Sequence, residues 1–232
     1  MKGLLFYVLY LIIGSYAERE DLSGKAFTFP KQTATDYVKI TLDDKTSLTA
    51  LTVCLRFFTD LSQEFSIFSM ATLTHHNAFL LYKEPSGVYG GHINNLSAKF
   101  FGLPVEVNEW ISTCMTWNSK NRLIQLWVNG KHSVKKPVGN NAAIHVPAII
   151  TLGQEQDSYG GGFNAHQSFV GDITDVHMWD HALSPCQIQN YITHASFSPG
   201  NVISWKALEY VKQGSVTVED IEINTCEKPG LL

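Results

Sequence analysis

The chain has 232 residues, 44% of them hydrophobic and 16% charged, with a formal net charge of −4. That mild acidity carries no basic stripe and so argues against a nucleic-acid partner, and no segment approaches the run of about 20 apolar residues that a membrane-spanning helix requires. The length suits one large all-β domain of the usual range, about 200–250 residues, with room for a sizeable core.

Residues Met1 to Ala17 read as a secretory signal. Lys2 is the basic start, Leu4 to Ile13 the short apolar run, and Ser15-Tyr16-Ala17 the small-residue cleavage region. Their removal leaves residues 18–232 as the mature chain, extracellular in destination. Lys2 is the only charged residue of the seventeen, so the net charge becomes −5. No internal repeat, heptad or low-complexity linker follows, and a single domain is expected.

Tyr37 to Leu42 and Leu51 to Phe57 alternate with period two, which predicts strands with one face on a core and one toward polar surroundings. Asn95-Leu96-Ser97 is an acceptor pattern for N-glycosylation in a secreted chain. Leu123 to Val128 runs into Asn129-Gly130, a pair suited to the positive φ angles of a tight hairpin, and Lys131 to Val134 returns. From Val170 to Trp179 the alternation slips at Thr174-Asp175, which predicts a bulge. Ser184, Pro185 and Gln187 form the start of one short surface helix: a cap, a first-turn proline and a capping-box partner, ahead of Ile188, Tyr191 and Ile192. Many strands, one helix and regularly spaced turn residues point to an all-β two-sheet sandwich or jelly roll. From about residue 211 the chain reads as a C-terminal tail.

Four cysteines in a secreted chain suggest two disulfides, with three connectivities open. Neighbourhood along the chain pairs Cys54 with Cys114 and Cys186 with Cys226. A bond between molecules competes for the second pair. Closing the first loop would stabilise the fold by roughly 4 kcal/mol on the chain-entropy model.

Leu152 to Phe163, with Gln167 just beyond, sets Glu155 and Asp157 two residues apart beside Gly160-Gly161-Gly162. Calcium takes six to eight oxygens from carboxylates, amides and backbone carbonyls, and glycines let the backbone approach the ion. Two carboxylates about 4 Å apart repel by roughly 4 kcal/mol at an effective dielectric near 20, so the pair calls for a cation or a proton. The plain alternative is a solvated acidic turn built from ordinary loop residues.

Several further segments resemble the pentraxin family between about Lys25 and Tyr210. They are Lys25 to Pro30, Phe65 to Ser69, the Glu155 loop, Gly171-Asp172-Ile173 leading to Met178-Trp179-Asp180, and Asn201 to Leu208. The family's short signature, His-x-Cys-x-Ser/Thr-Trp-x-Ser/Thr, stands as Ser112 to Ser119 with serine at the histidine position. The resemblance implies a flattened, lectin- or laminin-G-like jelly roll, a Cys54–Cys114 disulfide and a cyclic homo-oligomer, commonly a pentamer. It also implies two adjacent calcium ions that hold phosphocholine, phosphoethanolamine or carbohydrate ligands. Carried over by position, Asn77, Glu155, the Gln156 carbonyl and Asp157 match one ion's ligands, and Glu155, Asp157 and Gln167 the other's. Tyr82 matches an aromatic that contacts the ligand's apolar part, and His92 is a candidate for the pocket wall. Complement components and phagocyte receptors are the further partners implied.

Two departures bear on calcium. His76 stands where the family has aspartate, and Asn164 where it has an acid. Imidazole is a poorer ligand than carboxylate for a hard cation, so an affinity at or weaker than the roughly 10⁻⁴–10⁻³ M of extracellular modules is expected. A pentraxin scaffold with a lost calcium site and a protein-binding role is the alternative these residues favour. A glucanase-type enzyme is a weaker rival, because no second glutamate follows Asp157 to complete an acid/base pair. A zinc site at His75-His76 is another. Adjacent strand residues point to opposite faces, and no cysteine-histidine spacing supports it. The sequence therefore predicts a secreted, non-catalytic, calcium-dependent binding protein.

Overall fold

The computed structural model describes residues 19–42 and 47–221, so the expected signal segment and Cys226 lie outside the described residues. In chain order the strands open with β1 (Lys25–Phe29), β2 (Tyr37–Leu42), β3 (Ala50–Phe58), β4 (Phe65–Thr72) and β5 (Phe79–Glu84). They continue with β6 (Val88–Ile93), β7 (Leu96–Phe100), β8 (Ile111–Asn118), β9 (Leu123–Val128) and β10 (Lys131–His132). The last are β11 (Lys136–Pro137), β12 (Ala148–Leu152), β13 (Gly171–Trp179), β14 (Val211–Gln213) and β15 (Thr217–Asp220), with one α-helix among the described residues, α1 at Pro185–Ile192.

They form two antiparallel sheets, a sandwich as the alternation predicts. One runs β10-β9-β8-β3-β13-β1-β15, with β11 also on β9, and the other β14-β2-β12-β4-β5-β6-β7. Phe27, Phe29, Leu51, Val53, Leu55, Phe57 and Trp117 of the first sheet meet Val38, Ile40, Phe68, Met70, Phe79 and Leu81 of the second in one continuous core. Fully burying each large apolar side chain contributes about 1.5–3 kcal/mol. Residues 211–220, read from the sequence as the start of a tail, extend both sheets: β14 pairs with β2 and β15 with β1.

Strand β3 departs from its expected half-polar character, because both of its faces are buried. Its second face carries Cys54, which pairs in register with Cys114 and bonds to it. Over that disulfide lie Trp127, Trp179 and, from α1, Ile188 and Tyr191. The charged residue of that face, Arg56, is consumed rather than solvated. It donates from Nε to Asp175 Oδ2 at 3.1 Å, from Nη1 to Ser112 Oγ at 2.8 Å and from Nη2 to the Tyr191 carbonyl at 2.7 Å. A cation at this last-turn carbonyl complements the negative end of α1.

The helix begins as expected. Ser184 Oγ accepts from the Gln187 N–H and Gln187 Oε1 accepts from the Ser184 N–H, a complete capping box. Asn129 and Gly130 adopt φ of 46° and 80° in the β9–β10 turn. The bulge falls between Thr174 and His177, with Asp175 at φ 52°.

Candidate functional site

The carboxylate loop leaves β12 and is tied off at its neck, where the Phe169 N–H donates to the Gly153 carbonyl at 2.9 Å. Gly153 has φ 92°, and a Cβ there would lie 2.3 Å from the Phe29 ring, so the neck needs glycine on two counts. Phe169 then packs edge-on against Phe29 and Phe65, with centroids 5.7 and 5.5 Å away. The loop therefore stands on the main aromatic core.

Two buried glutamines hold the ascending limb. Gln154 Nε2 donates to the Thr33 carbonyl at 2.6 Å and the Asp36 carbonyl at 2.9 Å. Gln156 Nε2 donates to the carbonyls of Ser69 at 3.0 Å and Ile149 at 3.1 Å, while its Oε1 accepts from the Gly160 N–H at 2.9 Å. The Gln156 backbone N–H donates to Ser69 Oγ at 3.1 Å. With the side chain committed inward, only the main-chain carbonyl of Gln156 is left for an ion. At the tip, Gly162 has φ 78° and lies against Asp157, where a Cβ would come within 2.8 Å of the Asp157 Cβ.

Glu155 is 4% exposed, and its Oε2 has no protein partner. Burial, and then the neighbouring Asp157 charge, push its pKa up to about 7, an effect the facing Asn77 amide partly offsets. Asn77, in the turn between β4 and β5, leaves its Oδ1 buried and unpartnered as well. The buried Tyr82 hydroxyl on β5 feels the charges of Glu64 and Glu155 and faces the Gln167 amide, yet it completes no hydrogen bond. Burial chiefly holds that phenol protonated.

Two unpartnered buried oxygens side by side, Glu155 Oε2 and Asn77 Oδ1, would cost several kcal/mol if left so, and a cation satisfies both. The residue set fits calcium: two carboxylates, two side-chain amides and a main-chain carbonyl are hard oxygen donors. Among the described residues no three His, Cys, Asp or Glu side chains cluster to hold a metal by themselves. Any ion here would therefore draw on side-chain amides or main-chain carbonyls as well as carboxylates. His75 and His76 lie in the β4–β5 turn rather than on a strand, and His75 Nδ1 is 3.0 Å from Thr74 Oγ1. Asn164 caps a 3₁₀ turn over Ala165–Gln167, its Oδ1 accepting from the His166 N–H at 3.1 Å. That oxygen is already in use.

Beside the loop, the outer face of β5 and β6 makes a shallow shelf. Tyr82 lies opposite Gly90, and a Cβ at Gly90 would meet Glu84 Oε1 at 3.4 Å and His92 Nε2 at 3.6 Å. His92 is held below its ordinary pKa, mainly by burial, with Glu84 opposing and His76 and Lys99 adding to the shift. Lys99 Nζ pairs with Glu84 Oε2 at 2.6 Å across the shelf. Sequence reasoning missed Glu64 and Glu84. Both are far from the carboxylate loop in the chain, and the pairing of β4, β5 and β6 sets Glu64 beside Tyr82 and Glu84 beside His92. Cys186 is exposed at the start of α1. Its expected partner Cys226 lies outside the described residues. A groove of about 660 Å³ between β2 and residues 200–211 lies apart from this chemistry.

Comparison with known proteins bears on this arrangement. The Pentaxin family model matches residues 25–220, ten residues beyond the resemblance read from the sequence. C-reactive protein of Sus scrofa is 40% identical over 217 residues, covering 94% of this chain and 96% of that protein. C-reactive protein of Xenopus laevis is 39% identical over 216 residues, covering 92% and 90%. Among solved structures, the native heptameric SAP-like pentraxin from Limulus polyphemus superposes with a TM-score of 0.77 at 27% identity, covering 85% of this chain and 95% of that one.

Proposed function

The chain belongs to the pentraxin (pentaxin) family, and from that premise we propose that it is a secreted protein that uses calcium to bind phosphocholine, phosphoethanolamine or carbohydrate ligands. Its membership makes it a pattern-recognition protein of innate immunity and a binding protein, not an enzyme. The observation that carries the calcium reading is the buried Glu155 carboxylate, whose Oε2 lacks a protein partner beside the equally unpartnered Asn77 Oδ1.

Glu155, Asp157, Asn77, Gln167 and the Gln156 carbonyl are the residues that would hold the ion. Bound calcium supplies open coordination positions for the phosphate or hydroxyl oxygens of a ligand. The rest is the work of the chain itself. Gln154 fixes the loop to the β1–β2 connection and Gln156 fixes it to the sheet before any ion arrives, so less ordering is needed on binding. Tyr82 would offer its aromatic face and His92 a wall above Gly90, a shelf suited to a small cationic group. The heptameric relative supports reading this chain as a subunit of a cyclic oligomer, for which we propose the family's common pentamer. Complement components and phagocyte receptors are the partners that this reading brings with it.

A second reading, a scaffold that has lost its calcium site and binds proteins without it, draws on Asn164. Its side-chain oxygen serves the 3₁₀ turn, and His76 brings no anionic oxygen. Retention on immobilised phosphocholine, with chelator elution and a Glu155→Gln control, separates the two. Retention lost in both supports the first reading. No retention, together with no calcium-induced gain in thermal stability, overturns it in favour of the second.

A further inference from the structure

The glycosylation pattern Asn95-Leu96-Ser97 has a place in the structure that neither the fold nor the ligand reading uses. Asn94 and Asn95 form the turn between β6 and β7, with φ of 49° and 66°, angles that asparagine tolerates better than most residues. Asn95, Leu96 and Ser97 are all exposed. The two ends of the Asn95 amide have different surroundings. Its Oδ1 accepts from the Asn77 backbone N–H at 2.9 Å, and the Asn95 N–H donates to the Asn77 carbonyl at 2.9 Å. The Asn94 N–H adds a third tie, to the Ala78 carbonyl at 3.1 Å. Nδ2 donates to no described residue, and the residue is exposed.

We infer that Asn95 carries an N-linked glycan at the rim of the ligand face, while its side-chain carbonyl positions Asn77. The second half rests on the reading of Asn77 as a cation ligand, and the first does not.

The chemistry leaves both roles compatible. In the transfer, Asn95 Nδ2 forms a bond to the anomeric carbon of an oligosaccharide as that carbon's bond to the pyrophosphate of a lipid-linked donor breaks. The lipid pyrophosphate leaves, and one amide proton passes to a base of the transferase. The carbonyl oxygen is untouched, so the modified residue still accepts from the Asn77 N–H. A bulky, hydrated chain rooted one amide away from Asn77 would leave a small free ligand room to reach the shelf but would hold off a crowded surface.

The test uses the full chain secreted from mammalian cells, with N-glycosidase treatment and peptide mass analysis. Three variants accompany it: Ser97→Ala, which removes the acceptor pattern but keeps Asn95; Asn95→Ala, which removes both features; and Asn95→Asp, which keeps an acceptor oxygen without a nitrogen to modify. The probes are calcium alone, free phosphocholine, and vesicles bearing phosphocholine headgroups. The wild type should lose one glycan on treatment. Ser97→Ala should match it for calcium and free phosphocholine but retain vesicles several-fold better. Asn95→Ala should bind calcium about three- to tenfold more weakly than Ser97→Ala, as the loss of one positioning hydrogen bond implies, with Asn95→Asp restoring the affinity. An unmodified wild-type mass overturns the glycan, and equal vesicle retention overturns its screening role. Equal calcium affinity in Ser97→Ala and Asn95→Ala overturns the positioning role. A glycan found on a chain that binds no calcium in any form establishes the modification and overturns the cation reading instead.

Discussion

The side-chain amide of Gln156 donates to the Ser69 carbonyl at 3.0 Å, fastening the carboxylate loop to the middle of β4. The same amide also serves Ile149 and Gly160, so one buried residue sets where Glu155 and Asp157 can be.

Gln156→Ala should therefore cost more than an ordinary loop substitution. Two buried carbonyls and one N–H lose their partner, at a net of about 0.5–1.5 kcal/mol each, or roughly 2–4 kcal/mol in all. Urea unfolding midpoints read the stability, and a calcium titration should show affinity down by tenfold or more. Unchanged affinity in a folded variant would mean that the loop holds its shape without this anchor.

His76→Asp tests whether the missing anionic oxygen limits calcium. His76 precedes Asn77 in the β4–β5 turn, so a carboxylate there adds charge and a hard donor beside the Glu155 loop. Calcium affinity should rise by about tenfold, which corresponds to about 1.4 kcal/mol. His75→Asp, on the residue whose ring lies beside Thr74, is the charge-matched control and should gain less. Equal gains in both would reduce the effect to bulk electrostatics.

What could be read from the sequence was what neighbouring residues decide. The Asn129-Gly130 turn and the Ser184/Gln187 capping box are each complete within a few residues, and both formed as read. The bulge at Thr174 showed itself as a slip in alternation within one strand. The second buried face of β3 was hidden because α1, far along the chain, covers it. Glu64 beside Tyr82, and Asn95 bonded to Asn77, likewise depend on strand pairing that no local spacing announces. The cap that occupies the Asn164 oxygen is local, and its contact with the N–H two residues on is a common asparagine habit that the sequence could have disclosed.

His177 gives the fold an acid-sensitive point. It is 2% exposed, packed among Trp179, Tyr191 and Phe197, and burial pushes its pKa down to about 4, with Asp175 opposing and Lys206 adding to the shift. The folded state resists protonation while the unfolded chain accepts it from about pH 6.5 downward. The stabilisation is thus present in full above that pH and is lost as pH falls toward 4, by on the order of 3 kcal/mol. Glu155 acts in the opposite sense without metal: raised from 4.5 to about 7, it removes stability as pH climbs through that interval. Urea midpoints between pH 4.5 and 7 in a Glu155→Gln background isolate the histidine, and adding His177→Phe should flatten the slope. A slope that persists must come from another group.

Glu155→Gln alone separates the cost of the site from its use. At pH 7.5 without calcium the wild type keeps a buried carboxylate ionised against both burial and Asp157, a cost that the neutral amide avoids. The variant's metal-free melting temperature should equal or exceed that of the wild type by a few degrees. Millimolar calcium should raise the wild type, because an ion that binds only the folded state stabilises in proportion to the logarithm of its excess over Kd. The variant should not respond. Thermal melts of both proteins with calcium and with chelator read all four values. A calcium response surviving in Glu155→Gln would place the ion elsewhere, while a wild type that is more stable than the variant only in chelator would show that the carboxylate serves the fold rather than a cation.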